Sequence, residues 1–281
     1  MPEQTAAIRR AARYLSPTLS GVPIFNYHGL ADPVPYEVPA AARQFWLSST
    51  KFRSHLAHVR ANGFETVLLD ALKDRVVCQV SEFRRVSLTF DDGLLSDYET
   101  ALPLLAEFGM KATFFLNSAT IGQDGYLDWA KIAEMQRHGM SIQSHSHRHV
   151  DLTVLPIAAL DAELTESKQR LEDRLGTRVD FIAAPRGVLD RRVIHRALAV
   201  GYLGVCSTRC WPARPGSTVI TRITLHREVQ IEEFRGFLTG EFWPYARRLS
   251  RGLLLRPVNV AGHLLGILRY RWLKQPFEVS K

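Results

Sequence analysis

The sequence predicts an α/β protein built on a parallel sheet, either closed as a barrel or doubly wound. Three observations carry that expectation. Short apolar runs of strand length alternate with stretches of helical period. Polar residues follow directly on the ends of several of these runs, where α/β enzymes place their chemistry. The chain has 281 residues, 46% of them hydrophobic, which is enough for one large core and excludes disorder as its main state.

The elements follow in order. Up to about residue 20 the pattern fits a short amphipathic helix or a loose arm, and residues 22–28 read as a short buried strand ending in a polar pair. Residues 29–47, rich in Pro, Gly and Ala, read as a loop. Ser48 then offers a helix cap, with Phe52, Leu56 and Val59 at helical spacing behind it. Residues 86–90 form a strong strand signal that runs straight into Asp91, Asp92 and Gly93. A helix over 97–109 and a strand over 111–116 come next. A helix over 131–138 closes at Gly139, and a strand over 140–144 ends at His145. The clearest helix, 158–175, has Gly176 as its C-cap. A strand over 181–184, a helix over 191–200 and a strand over 202–206 complete the alternation. No internal repeat or low-complexity segment interrupts it, and no second domain is indicated. We divide the chain into an arm (1–21), a main α/β unit (22–246) and a basic helical extension (247–281).

Charge and cysteine content exclude several classes. The net charge of +8 resembles a nucleic-acid signature until it is placed along the chain. Residues 247–281 hold eight bases and one acid, which leaves 28 bases against 27 acids in residues 1–246. A near-neutral body argues against a nucleic-acid partner, because such proteins spread cations over a binding face. Cys78, Cys206 and Cys210 are odd in number and lack zinc-ribbon spacing, so they read as buried thiols in a reducing compartment. No window offers about 18 uninterrupted apolar residues, and the N-terminus lacks a signal-length apolar core. The expectation is a cytoplasmic protein. Between residues 257 and 275, Val260, Leu264, Leu265, Leu268 and Trp272 form one helical stripe beside Arg269, Arg271 and Lys274. That helix packs on the body or lies on an anionic membrane surface at its inner face.

Two clusters carry the chemistry. In Thr89-Phe90-Asp91-Asp92-Gly93, two adjacent carboxylates follow a buried strand, which is costly unless positive charge is supplied to them. In His145-Ser146-His147-Arg148-His149, His145 and His149 are four apart, and one helical turn would bring both imidazoles to one side with His147 pointing elsewhere. Two imidazoles and one carboxylate make a facial set suited to zinc or another divalent ion.

At these residues the sequence resembles the polysaccharide deacetylase family, also called the NodB-homology family or carbohydrate esterase family four. Thr-Phe-Asp-Asp-Gly at 89–93 matches its first motif, Lys111-Ala-Thr-Phe-Phe115 the strand that follows, and His145, Ser146 and His149 its second motif. The resemblance covers roughly residues 22–240 and implies a distorted (β/α) barrel that hydrolyses N-acetyl groups on a saccharide. It implies Asp91 as general base, Asp92, His145 and His149 as metal ligands, and one divalent ion, Zn2+ before Co2+, Ni2+ or Mn2+. The general acid is His226, in Leu225-His226, or His28 if the chain resembles the circularly permuted branch with an N-terminal Tyr-His strand. We prefer His28. The third motif departs from the pattern, since Ala183-Ala184-Pro185-Arg186-Gly187 has Ala183 where an arginine usually steers the base. Arg186 stands at the tyrosine position whose backbone N–H serves the oxyanion. Tyr27 and Ser146 are assigned with it to the substrate side. Competing readings are hydrolysis of another non-peptide C–N bond on the same barrel, and an inactive carbohydrate- or membrane-binding protein. Intact Asp91, Asp92, His145 and His149 argue against the inactive one, each being a costly buried group without a metal.

Overall fold

The computed structural model of the protein describes residues 19–72 and 84–254. Its strands are β1 (Ile24–Tyr27), β2 (Phe64–Thr66), β3 (Arg84–Phe90), β4 (Thr113–Leu116), β5 (Ser141–Ser144), β6 (Phe181–Ala183), β7 (Gly204–Ser207), β8 (Val219–Thr221) and β9 (Ile223–Thr224). They pair in the order β8-β7-β6-β5-β4-β3-β1-β9, with β2 beside the start of β3, and every pair is parallel. β8 and β9 lie at opposite edges of that order, yet one residue, Arg222, separates them in sequence. Its N–H donates to Ser207 O at 3.1 Å, while Leu225 N–H donates to Asn26 O at 2.9 Å. The chain thus steps from one sheet edge to the other within a few residues, and the sheet nearly closes into the expected barrel.

Helices α1 (Ser49–Ala61), α2 (Leu102–Phe108), α3 (Trp129–Arg137), α4 (Ile157–Leu175), α5 (Arg191–Val200), α6 (Ile231–Leu238) and α7 (Phe242–Leu254) accompany the strands. Capping sets the starts of α1 and α5 in the predicted places and starts α3 two residues before the predicted 131. Ser48, Asp128 and Asp190 each accept a backbone N–H of the first turn. Gly176 closes α4 with φ +64°. Over 97–109 the structure differs in detail, since a π-helical turn, Asp97–Ala101, precedes α2.

The strand period of two divides the core. Ile24, Phe115, Phe181, Ala183, Cys206 and Ile220 meet in one cluster, inside the barrel. Their neighbours Phe25, Tyr27, Phe114, Ile182 and Val205 pack in the other, with Phe52 and Leu56 of α1 and Leu160 and Leu164 of α4. Cys206 and Cys210 are free and buried, and burial pushes both thiols up to about 12.

No helix among the described residues is long and apolar enough to cross a membrane. The boundary expected between 246 and 247 falls inside α7. Cys78, most of the N-terminal arm and the expected helix over 257–275 lie outside the described residues.

Candidate active site

The site gathers at the C-terminal ends of β1, β3, β5 and β6. Asn26 and His28, Thr89 and Asp91, and Gln143 and His145 continue the inward-facing parity of β1, β3 and β5. Asp91 is buried at the end of β3, and the chain then turns sharply through Asp92 at φ +81° and Gly93 at φ +68°. A side chain at Gly93 would be strained by its φ of +68° and would also push on Leu116 Cδ2 at 2.8 Å.

The segment 145–149 is not helical, contrary to expectation. His145 and His149 are brought together by an irregular turn with Ser146 at φ +66° and His149 at φ +56°. Side chains take the backbone bonds that a helix would supply. Ser144 Oγ accepts from Ser146 N at 3.2 Å, and Ser146 Oγ from His149 N at 3.2 Å. Glu163 Oε2 accepts from His147 N at 3.1 Å and Arg148 N at 2.9 Å. Ser146 is therefore a buried turn-former with its hydroxyl engaged, which corrects its expected substrate role. His147 points elsewhere, as expected, with Nδ1 at 2.8 Å from Ser118 Oγ and Nε2 at 3.2 Å from Glu166. Among the described residues, the non-glycine positions with positive φ are Asp92, Ser146, His149 and Arg186. All four belong to the predicted site, and such backbone persists only where its surroundings enforce it.

Asp92, His145 and His149 converge as predicted. Asp92 Oδ1 lies 3.4 Å from Nε2 of each histidine. One donor atom from each residue falls within 4.8 Å of the others. Ligand atoms about 2.0–2.2 Å from a zinc ion at tetrahedral angles stand about 3.3–3.6 Å apart, so the spacing suits one ion. His145 Nδ1 lies 2.8 Å from Ala183 O, and donation there leaves Nε2 free to bind a metal. Electrostatics agree. Burial alone would lower the pKa of His145, but Asp91 and Asp92 outweigh it and hold the pKa above the usual histidine value. The centre is negative and attracts a cation.

Asp91 has different company. Arg222 Nη1 and Nη2 donate to its Oδ1 and Oδ2 at 2.6 and 2.8 Å, and Asn26 Nδ2 donates to Oδ2 at 2.9 Å. Burial favours the neutral acid, but Arg222 and His145 reverse it, so Asp91 stays ionised below the usual carboxylate range. Sequence reasoning missed Arg222 and Asn26. A signal was available, because a single cation inside the β-branched run Val219-Ile220-Thr221-Arg222-Ile223-Thr224 must find an anion if the run is buried.

The two candidate acids both lie against one phenyl ring. Phe45 stacks on His28 at 5.0 Å between ring centroids, and its ring centroid also lies 4.9 Å from that of His226. His28, on the inward-facing parity of β1, is within electrostatic reach of Asp91, Asp92 and His149. Burial, Arg248 and His28 push His226 down to about 4. Arg186 is exposed on the turn after β6, with Asp151 within electrostatic reach.

Tyr27 corrects another expectation. It is fully buried on the helix-facing side of β1, with its hydroxyl 3.2 Å from His55 Nδ1 and its ring stacked on Phe90. Strand parity explains this, because Tyr27 must face opposite to Asn26 and His28.

Comparison with known proteins finds similarity in sequence and in fold. Residues 79–205 match the polysaccharide deacetylase family. YxkH of Bacillus subtilis, which carries that family name, is 29% identical over 186 residues, 64% of this chain and 62% of YxkH. A chitin deacetylase of Pestalotiopsis sp is 34% identical over 116 residues, 41% of this chain and 39% of that protein. The chain thus spans under two thirds of either relative. The structure of the Streptococcus pyogenes deacetylase PplD with acetate shares the fold, with a TM-score of 0.70 at 24% identity over 80% of this chain and all of that one. Residues 79–205 are thus similar in sequence to the polysaccharide deacetylases, and the fold is the one that PplD shares.

Proposed function

We propose that this chain is a metal-dependent hydrolase that removes N-acetyl groups from a saccharide. One observation carries the reading. An Asp-His-His set of metal-binding geometry adjoins a separately held, ionised carboxylate at the mouth of one barrel. Asp92, His145 and His149 would hold a divalent ion. When bound, such an ion polarises the amide carbonyl and lowers the pKa of water.

Every other part belongs to the chain. Asp91 accepts a proton from the attacking water at Oδ1, which keeps a lone pair beyond its bond to Arg222, whereas Oδ2 already accepts from both Arg222 and Asn26. His28 donates a proton to the nitrogen as the C–N bond breaks, releasing acetate and an amine. His226 suits that step less well, because burial pushes its pKa down to about 4. Arg186 sits on the rim, where its backbone N–H suits the developing oxyanion and its guanidinium suits an anionic group on the saccharide. The donor set of two imidazoles and a carboxylate favours zinc over magnesium or calcium, which prefer oxygen.

The test is acetate release from a panel of N-acetylated oligosaccharides, with and without a chelator. The expected result is release that the chelator abolishes and added zinc restores. Release of ammonia from small amides, with no acetate from any saccharide, would overturn the assignment.

A further inference from the structure

A buried arginine at the seam of the barrel faces the reacting groups from an unexpected direction. Arg222 is 0% exposed and is the single residue between β8 and β9, the strands at opposite edges of the sheet. Ile220, two residues earlier, lies in the barrel-interior cluster, and the same parity turns Arg222 inward. Its guanidinium is fixed on several sides. Nη1 reaches Asn26 Oδ1 at 3.1 Å and Thr89 Oγ1 at 3.3 Å, and the group lies 5.0 Å over the Phe115 ring. Its fork meets both oxygens of Asp91, a planar, two-point match that a lysine cannot make.

We propose that Arg222 is the positioning residue that holds the Asp91 carboxylate for proton transfer, in place of any side chain from β6. This rests on the hydrolase reading above. At the end of β6, Ala183 has no side chain that could reach Asp91, and its carbonyl instead receives His145 Nδ1. The labour is divided. The β6 backbone orients a metal ligand, and the seam residue orients the base. Rotation of the Asp91 carboxylate about its last bond would break both fork bonds at once, so the lone pair left for water on Oδ1 keeps a fixed direction. The step that closes the barrel thereby supplies the group that aims the base.

A mutant cycle on kcat in the full-length, zinc-loaded protein tests this, using the N-acetylated oligosaccharide that the wild type turns over. Arg222→Met should lower kcat about a hundredfold or more with KM within about threefold. Metal content by elemental analysis should equal that of wild type. In an Asp91→Asn background the same change should cost less than about threefold, because the group it aims is gone. That double variant buries no unpaired charge and so guards against failure to fold. Arg222→Lys, which keeps the charge and loses the fork, should fall between Arg222→Met and wild type. Equal losses in both backgrounds, or wild-type kcat in Arg222→Met or Arg222→Lys, would overturn the role. A wild type that releases no acetate overturns the hydrolase reading, and this role with it.

Discussion

Asp91 and Asp92 are neighbours in sequence with different partners in space. Asp92 turns at φ +81° toward two imidazoles, whereas Asp91 is enclosed by Arg222 and Asn26. Substitution should separate their roles. Asp92→Ala removes one of three donors, so bound ion and turnover should fall together. Asp91→Asn keeps shape and metal but cannot accept a proton, so turnover should fall by about two to four orders of magnitude. Elemental analysis beside acetate release checks both, and full metal occupancy in Asp92→Ala would remove it from the ligand set. The acid is tested by His28→Gln and His226→Gln. The first should be crippled and the second within about tenfold of wild type, and the reverse order would make His226 the donor. Both carboxylates and both histidines were legible in the sequence, because motif order and position after strands mark them. Tyr27 was misread although strand parity was available to correct it. Arg222 was missed because its partner is 131 residues away.

At the scale of elements, the turns are more informative than the regular structure. The spacing of His145 and His149 suggests a helical turn, and the actual turn is left-handed at two positions. Hydrogen bonds from Ser144, Ser146 and Glu163 shape it. No periodicity in one sequence reveals such bonds, since Glu163 comes from the middle of α4. The π-helical turn Asp97–Ala101 holds another buried carboxyl, that of Asp97. Neither oxygen of Asp97 makes a well-formed hydrogen bond, and burial, with Asp92 and Asp91, pushes its pKa well above the usual value. The sign follows from proton counting. The folded chain keeps a proton that the unfolded chain gives up above about pH 4. The resulting stability is complete below that pH and declines as pH rises toward the folded pKa. Asp97→Asn removes the titration, so its melting temperature relative to wild type should rise between about pH 4 and pH 8. Thermal melts across that range decide it, and curves that run parallel would show Asp97 to be ionised in the fold.

Across the whole molecule, the alternation of strand and helix was readable because each strand from β3 to β7 joins an apolar run to a turn signal. Closure was not readable. β8 and β9 have three and two residues, too few to show an alternation, and α6 packs on α1, far away in sequence. Yet closure brings Arg222 to Asp91 and sets β1, with His28 at its end, between β3 and β9. The central claim is that one ion, held by Asp92, His145 and His149, is required for hydrolysis of an N-acetyl group. The most direct measurement titrates zinc into chelator-stripped protein while acetate release from an N-acetylated oligosaccharide is followed. Release should rise linearly and level off at about one equivalent of zinc, as a single three-ligand site requires. Full release before any zinc is added, or a plateau at two equivalents, would contradict the account.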